Sequence, residues 1–490
     1  MKKSIIILPL LTITSLAGCG KNTSNKLSFS FWYTVGQGLQ EGIKDKAEEF
    51  CSIIKQEEGV DLDIVLSYQG GYKDIKTKIE SGISTGNLPS LAVAYPDHVA
   101  SYLTKKKDIV VNLDDYMDND EYGFGTEAYL GDYSSAAVDG ECSANDIVKT
   151  FFEEGQKYAV EGTYSLPWMK SSEIMFYNLD AVKRCFDLGR VKTGVTFDPL
   201  VTTEADVISY VNNMSWDQMM ELSRFAVVNK ATILPKMIAP VMYDSDSNLF
   251  ITKMYQEGIP YASIGADGKG AIDFETGEAR SKAEELIGKY AQDIADGLLT
   301  TKILQDDKYS SSLFTGEETI FAIGSSGGTG YNSPDGASFA YKIAKVPASK
   351  SNPLYITQGP TLTLIKESKK GDTKETQDKR TLYAWKFMKY LTNAETNTDL
   401  CIQDSQGYIP MRESAYQTEE FAQFLQSKTI YSDAAEVLLR DVAGRYIVAD
   451  SFDGSADLRD QVGNILANVA GGLSVTEAFN KAINEAKKKL

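Results

Sequence analysis

The chain has 490 residues, 42% of them hydrophobic, and a formal net charge of −18. That apolar content excludes a disordered chain, and the length is enough for two or more domains with sizeable cores. So acidic a surface repels nucleic acid and anionic headgroups, which excludes nucleic acid as a partner and favours a neutral or cationic small ligand.

The first element is a leader. Met1-Lys2-Lys3 is positive, Ser4 to Ser15 is mostly apolar, and Leu16-Ala17-Gly18-Cys19 follows. The apolar run is shorter than the roughly 20 residues a membrane span needs, and Pro9 interrupts it, so it reads as a secretory signal. Leu16-Ala17-Gly18-Cys19 resembles the bacterial lipoprotein box, which implies cleavage after residue 18 and acylation of Cys19. Removing 18 of 490 residues, with Lys2 and Lys3 among them, leaves 472 residues and takes the charge from −18 to −20. Residues 19–26 have no large apolar side chain and read as a tether.

The body then alternates strands and helices. Leu27 to Tyr33 predicts a first strand. Leu39, Ile43, Ala47, Phe50 and Ile54 recur at helical spacing, and Val60 to Leu66 predicts a second strand. Ile75, Ile79 and Ile83 stripe the next helix. Leu91 to Tyr95 is a continuous apolar run, as in a strand buried on both faces. Strand-helix-strand-helix-strand predicts a parallel sheet flanked by helices, an α/β fold. Further on, Ser215 to Gln218 is a capping box with Met214 and Met219 as its staple. Ile320 to Ile323 predicts a strand ending at Gly324-Ser325-Ser326-Gly327-Gly328. Leu382, Trp385, Met388 and Leu391 share one helix face, and Ser474 with Glu477 caps a last helix. Lys366 to Arg380 reads as a solvent-exposed polar insertion. The acids from Asp114 to Glu121 lack the order of a calcium loop and read as a solvated loop. Beyond Cys19, Cys51, Cys142, Cys185 and Cys401 form no C-x-x-C pair. Disulfides stay open, with free buried thiols favoured. His98 is the single histidine, so no metal or other cofactor is expected.

Several segments, in order, resemble the extracellular solute-binding proteins typified by maltose-binding protein. They are Gly86 to Leu91 leading to Tyr95-Pro96-Asp97, Tyr164 to Pro167 followed by Ile174 to Asn178, Ser215-Trp216-Asp217, Phe314 to Gly327, Ala384 to Thr392, and Gly407 to Arg412. The resemblance implies a two-lobed periplasmic-binding-protein-like fold with solute held in the cleft by hinge closure. The first lobe would take 27–168 and 343–393, the second 169–342 and 394–490. The excess length would sit after Leu113 and between Val191 and Asn213. The partners it implies are a small solute, the permease subunits of an ABC importer, and the membrane through the lipid anchor, for a monomer on the extracytoplasmic face.

Ligands in open α/β sheets sit beyond the carboxyl ends of strands. That rule selects Trp32, Tyr33 and Gln37 after the first strand and Tyr95 and Asp97 after the third. A sugar offers C–H faces to aromatic rings and hydroxyls to carboxylates, which suits these side chains. Trp168 and Ser171, with Ser172 beside it, lie at the crossover. Gly324, Ser325, Ser326 and Gly327 match a ligand loop of the family. Tyr243, Asp244, Gln358, Tyr408 and Arg412 are weaker candidates. Trp32 and Trp168 read equally as core, Asp97 equally as a helix cap, His98 as a surface or capping residue, and Arg412 as a structural ion pair. The glycine-serine loop raises a phosphate ligand as an alternative, as in glycerol-phosphate binders, but no Arg or Lys adjoins it, and a neutral sugar is preferred. An enzyme such as a glycoside hydrolase, which needs two carboxylates, is the rival class; no recognisable catalytic motif is present. A lipoprotein adhesin or scaffold is the third.

Overall fold

The computed structural model describes residues 26–106, 108–124, 144–192, 201–333, 339–369, 371–403 and 407–490. The signal segment, Cys19 and Cys142 lie outside the described residues, as do residues 19–25 of the tether. No helix among the described residues is long and apolar enough to cross a membrane.

Two sheets organise the chain. The strands, in order, are β1 (Leu27–Tyr33), β2 (Leu62–Tyr68), β3 (Leu91–Ala94), β4 (Leu166–Pro167), β5 (Met169–Asn178), β6 (Val241–Tyr243), β7 (Ala262–Ile264), β8 (Gly270–Ile272), β9 (Leu299–Thr301), β10 (Phe321–Ser325), β11 (Tyr341–Lys345), β12 (Tyr355–Gln358), β13 (Thr361–Leu364), β14 (Ile409–Pro410) and β15 (Tyr446–Ile447). The first sheet runs β2-β1-β3-β13-β4 and the second β15-β12-β5-β10-β6-β9, with β11 and β14 also on β5. β1, β2 and β3 pair in parallel. Helices α1 (Gln37–Glu58) and α2 (Tyr72–Thr85) join them, and α3 (Pro96–Lys105) follows β3. The α1 stripe Leu39, Ile43, Ala47, Phe50 and Ile54 is buried throughout, as its spacing predicts.

Each sheet has its own core. Phe29, Phe31, Phe50, Trp168, Trp385 and Phe387 belong to the first. Met175, Tyr243, Phe250, Phe274, Phe321 and Phe479 belong to the second. The capping box at Ser215 forms, with Ser215 accepting from the Gln218 amide at 3.2 Å and both staple methionines buried. The box at Ser474 forms too.

The chain crosses between the sheets at three places. Trp168 alone separates β4 from β5. Gly359 and Pro360 separate β12 from β13, and the Trp168 amide donates to the Pro360 carbonyl at 3.1 Å. Gly359 has φ +98, and a Cβ there would meet the Met169 carbonyl at 2.1 Å. Only glycine fits so close a crossing. The third crossing is at Gly407, where φ is +75 and a Cβ would strike the Ser326 carbonyl at 1.9 Å.

These positions move two sequence boundaries. The return expected at 343 comes at 359, because β11 and β12 both pair with β5. The departure expected at 394 comes later, because Leu400, Cys401 and Met411 pack into the first core. The polar insertion Lys366 to Arg380 is also corrected. The helix Lys374–Thr392 starts inside it, and Arg380, 4% exposed, pairs with Asp372 at 2.7 Å. Glu367 is buried with it and accepts from the Ser90 hydroxyl at 2.5 Å. Cys51, Cys185 and Cys401 carry free thiols.

Candidate functional site

A cavity of about 360 Å³ lies between the two sheets. From the first half it takes Tyr95, Pro96 and Asp97, at the end of β3 and the start of α3. From the crossing strands it takes Lys170, Thr357, Gln358 and Gly359, with Glu154 beside them. From the second half it takes Ser245 and Asn248, at the start of the helix Asp246–Gln256, with Tyr261 and Asp450. Ser455 and Arg459 come from the helix Ser455–Gly463. That helix also packs against α3, so it spans the cleft.

Its polar groups are of two kinds. Some are fully paired. Lys170, buried in β5, meets Glu154 at 2.6 Å, and the Thr357 hydroxyl donates to the same carboxylate. Burial raises the Glu154 pKa, while Lys170 opposes it. Others make no hydrogen bond: Gln358 Oε1, the Tyr261 hydroxyl, and Asp97 Oδ1, which lies 3.7 Å from His98 Nε2. Asp97 does not cap α3; no side-chain cap bond forms there. A buried acceptor without a donor costs about 1–3 kcal/mol. Three residues of the cavity lining thus each carry a buried polar atom without a hydrogen bond.

Tyr95 stacks on Tyr72, with ring centroids 4.0 Å apart and planes at 20°. Burial pushes the Tyr95 phenol up to about 12. Burial also raises the phenols of Tyr72 and Tyr408, with Tyr95 adding to both. A tyrosine cluster thus stands beside the cavity.

Of the residues selected from sequence, Tyr95, Asp97 and Gln358 line the cavity. The others lie elsewhere. Trp168 is 0% exposed and packs on Phe31 in the first core. Trp32 packs half-buried against that core, Tyr33 is buried beside Phe31, and Gln37 is exposed at the start of α1. Tyr243 is buried and donates to Glu173. Asp244 accepts from the Ser310 amide, and burial raises its carboxyl to about 6. The Ser171 hydroxyl lies 3.4 Å from that of Ser325, and Ser172 donates to the Ile356 carbonyl at 2.7 Å. In the glycine loop, a Cβ at Gly324 would meet Asp244 at 2.3 Å and one at Gly327 the Tyr408 ring at 2.9 Å. Ser326 is buried, with its hydroxyl unpaired. His98 is buried rather than on the surface, its ring edge-on to Tyr95 at 5.5 Å and 3.7 Å from Asp97 Oδ1. Arg412 makes a buried ion pair with Asp146 at 3.4 Å.

The sequence reading missed Lys170, Glu154, Asn248, Tyr261 and Arg459. One signal was present: Lys170 and Glu173 interrupt a strand in which all ten residues are buried. Charges in such a strand must be paired or functional.

Comparison with known proteins agrees with this architecture. The fold and its inter-sheet cavity define a two-lobed solute-binding protein. The family model described as bacterial extracellular solute-binding protein matches residues 53–428. The chain belongs to that family. No match is found among curated protein sequences. Among solved structures, the GacH receptor of Streptomyces glaucescens, also solved with acarbose, is similar at TM-score 0.61 and 15% identity, covering 94% of this chain and 97% of that one. UgpB from Mycobacterium tuberculosis with glycerophosphocholine gives 0.62 and 16%, covering 94% and 97%. The substrate-binding protein Lmo0181 from Listeria monocytogenes with cycloalternan gives 0.65 and 14%, covering 94% and 98%.

Proposed function

We propose that this protein is the substrate-binding lipoprotein of an ABC importer and captures a sugar or short oligosaccharide without changing it. The observation that carries the reading is the polar cavity between the two sheets, with Asp97, Gln358, Asn248 and Tyr95 among its lining. A carboxylate and amides around a cavity suit a ring of sugar hydroxyls, which both donate and accept. Tyr95 offers an aromatic ring to the C–H face of the same ligand. The cavity volume is near the lower end of the roughly 300–1,000 Å³ range of ligand pockets. That favours one or two sugar units inside the cleft. Anchored through Cys19 on the extracytoplasmic face, a monomer would close about Trp168, Gly359–Pro360 and Gly407 and deliver solute to its permease.

A second reading is a glycerol-phosphate-type solute. Arg459 favours it: its guanidinium lines the cavity and donates to the neutral Asn248 carbonyl. UgpB, with a similar fold, was solved with a phosphodiester. A thermal-shift panel of mono- and oligosaccharides and glycerol phosphodiesters separates the readings. Solute at one hundred times its Kd adds about 2.7 kcal/mol to stability. A panel in which nothing raises the melting temperature refutes both. Product formation from an oligosaccharide would make the protein an enzyme instead.

A further inference from the structure

The polar groups behind the cavity form one continuous chain. Glu173, in the middle of β5 and 3% exposed, reaches two donors. The Tyr243 hydroxyl donates to its Oε2, and Asn248 Nδ2 donates to its Oε1 at 2.8 Å. Asn248, buried in turn, presents its Oδ1 to the Arg459 guanidinium, and Arg459 lines the cavity. An ionised carboxylate can only accept hydrogen bonds. It therefore obliges Asn248 to turn its NH₂ inward and its carbonyl outward. That carbonyl is what seats Arg459.

We propose that Glu173 is a positioning residue for solute capture: its charge fixes the direction of the Asn248 amide and so the place of Arg459 in the cavity. The proposal rests on the reading of the cavity as the solute site. Once Glu173 takes up a proton, it both donates and accepts, and Asn248 is free to invert. The inverted amide turns NH₂ toward the guanidinium, donor against donor, and releases Arg459. The groups facing Glu173 are Tyr243 and Asp244 at the end of β6, Asn248 and Lys253 on the helix Asp246–Gln256, and Arg459 on the helix Ser455–Gly463. Burial is the largest influence and raises the Glu173 carboxyl to about 7, Asp244 adding to it while Tyr243, Asn248 and Arg459 oppose it. The release therefore falls near neutral pH.

Two measurements on the full chain test this. Without solute, NMR of the Arg459 side chain from pH 5.5 to 8.5 should show a titration centred near 7. That titration should vanish in Glu173→Gln and in Asn248→Ala, whose folds circular dichroism checks. A signal flat across the range in the wild type overturns the proposal. With maltotriose and glycerophosphocholine as probes, calorimetry should give, for the probe that binds, affinity roughly tenfold weaker at pH 5.5 than at pH 8, as expected for one charged hydrogen bond lost. Glu173→Gln should bind equally at both. Persistence of the pH dependence in Glu173→Gln also overturns the proposal. If neither probe binds at either pH, that counts against the solute-site reading, and the solute-free titration still decides the relay.

Discussion

Strands β3 and β10 both end in loops at the junction of the two halves, and the tips are filled differently. Beyond β3, Asp97 lines the cavity, its side chain partly exposed and capping no helix. Beyond β10, the glycine-serine loop is packed by the chain itself: Asp244 approaches Gly324, and the Tyr408 ring approaches Gly327. Long polar side chains hold space open and leave valence for a guest. Small residues let a neighbour in, and here the neighbour is an aromatic ring from the third crossing. A strand tip is thus a site only where the hinge does not occupy it.

Substitutions should divide along that line, changing affinity at one tip and stability at the other. The largest effect is expected between them. Lys170→Ala leaves Glu154 buried without its cation, which should cost about 3–5 kcal/mol in urea denaturation. Lys170→Met with Glu154→Gln should restore most of it, and a single mutant as stable as wild type would show the pair to be solvated.

Glu173→Gln comes next. A folded-state pKa of about 7, raised from 4.5, means the native protein binds more protons than the unfolded chain between those values, so this group lowers stability as pH rises from about 4.5 to 7. Removing it should stabilise the protein by on the order of 3 kcal/mol at pH 8 and much less at pH 5. Urea midpoints at the two pH values check the sign.

Asp97→Ala should weaken solute binding by about 1.5–3 kcal/mol, with little change in melting temperature. Unchanged affinity in calorimetry would remove the β3 tip from the site. The smallest effect belongs to the other tip. Gly327→Ala crowds Tyr408 and should cost about 1 kcal/mol of stability, leaving affinity unaltered. An affinity loss there, with stability kept, would reverse the comparison.

Much of the fold was legible because it rests on local patterns. The α1 stripe, the buried β3 run and the Ser215 and Ser474 boxes each depend on residues within a few positions of one another. The strand-tip rule selected Tyr95 and Asp97, and both line the cavity. Trp168 was ambiguous, because a tryptophan at a crossing is equally suited to cleft or core, and only its packing on Phe31 decides. Arg459 was invisible: it follows Leu458 in an ordinary helix, and nothing local shows that this helix returns across the cleft to α3. The crossing at 359 was missed because β11 and β12 pair with a strand more than 160 residues earlier.

That long return has a consequence for how the molecule comes into being. β13 sits between β3 and β4 in the first sheet. A chain emerging amino end first cannot complete that sheet until Leu364 is available, by which time most of the other sheet's strands have also appeared. Neither half is a contiguous piece that can be cut out and expressed alone. The two should assemble late and together, and unfold as one cooperative unit although their cores are separate.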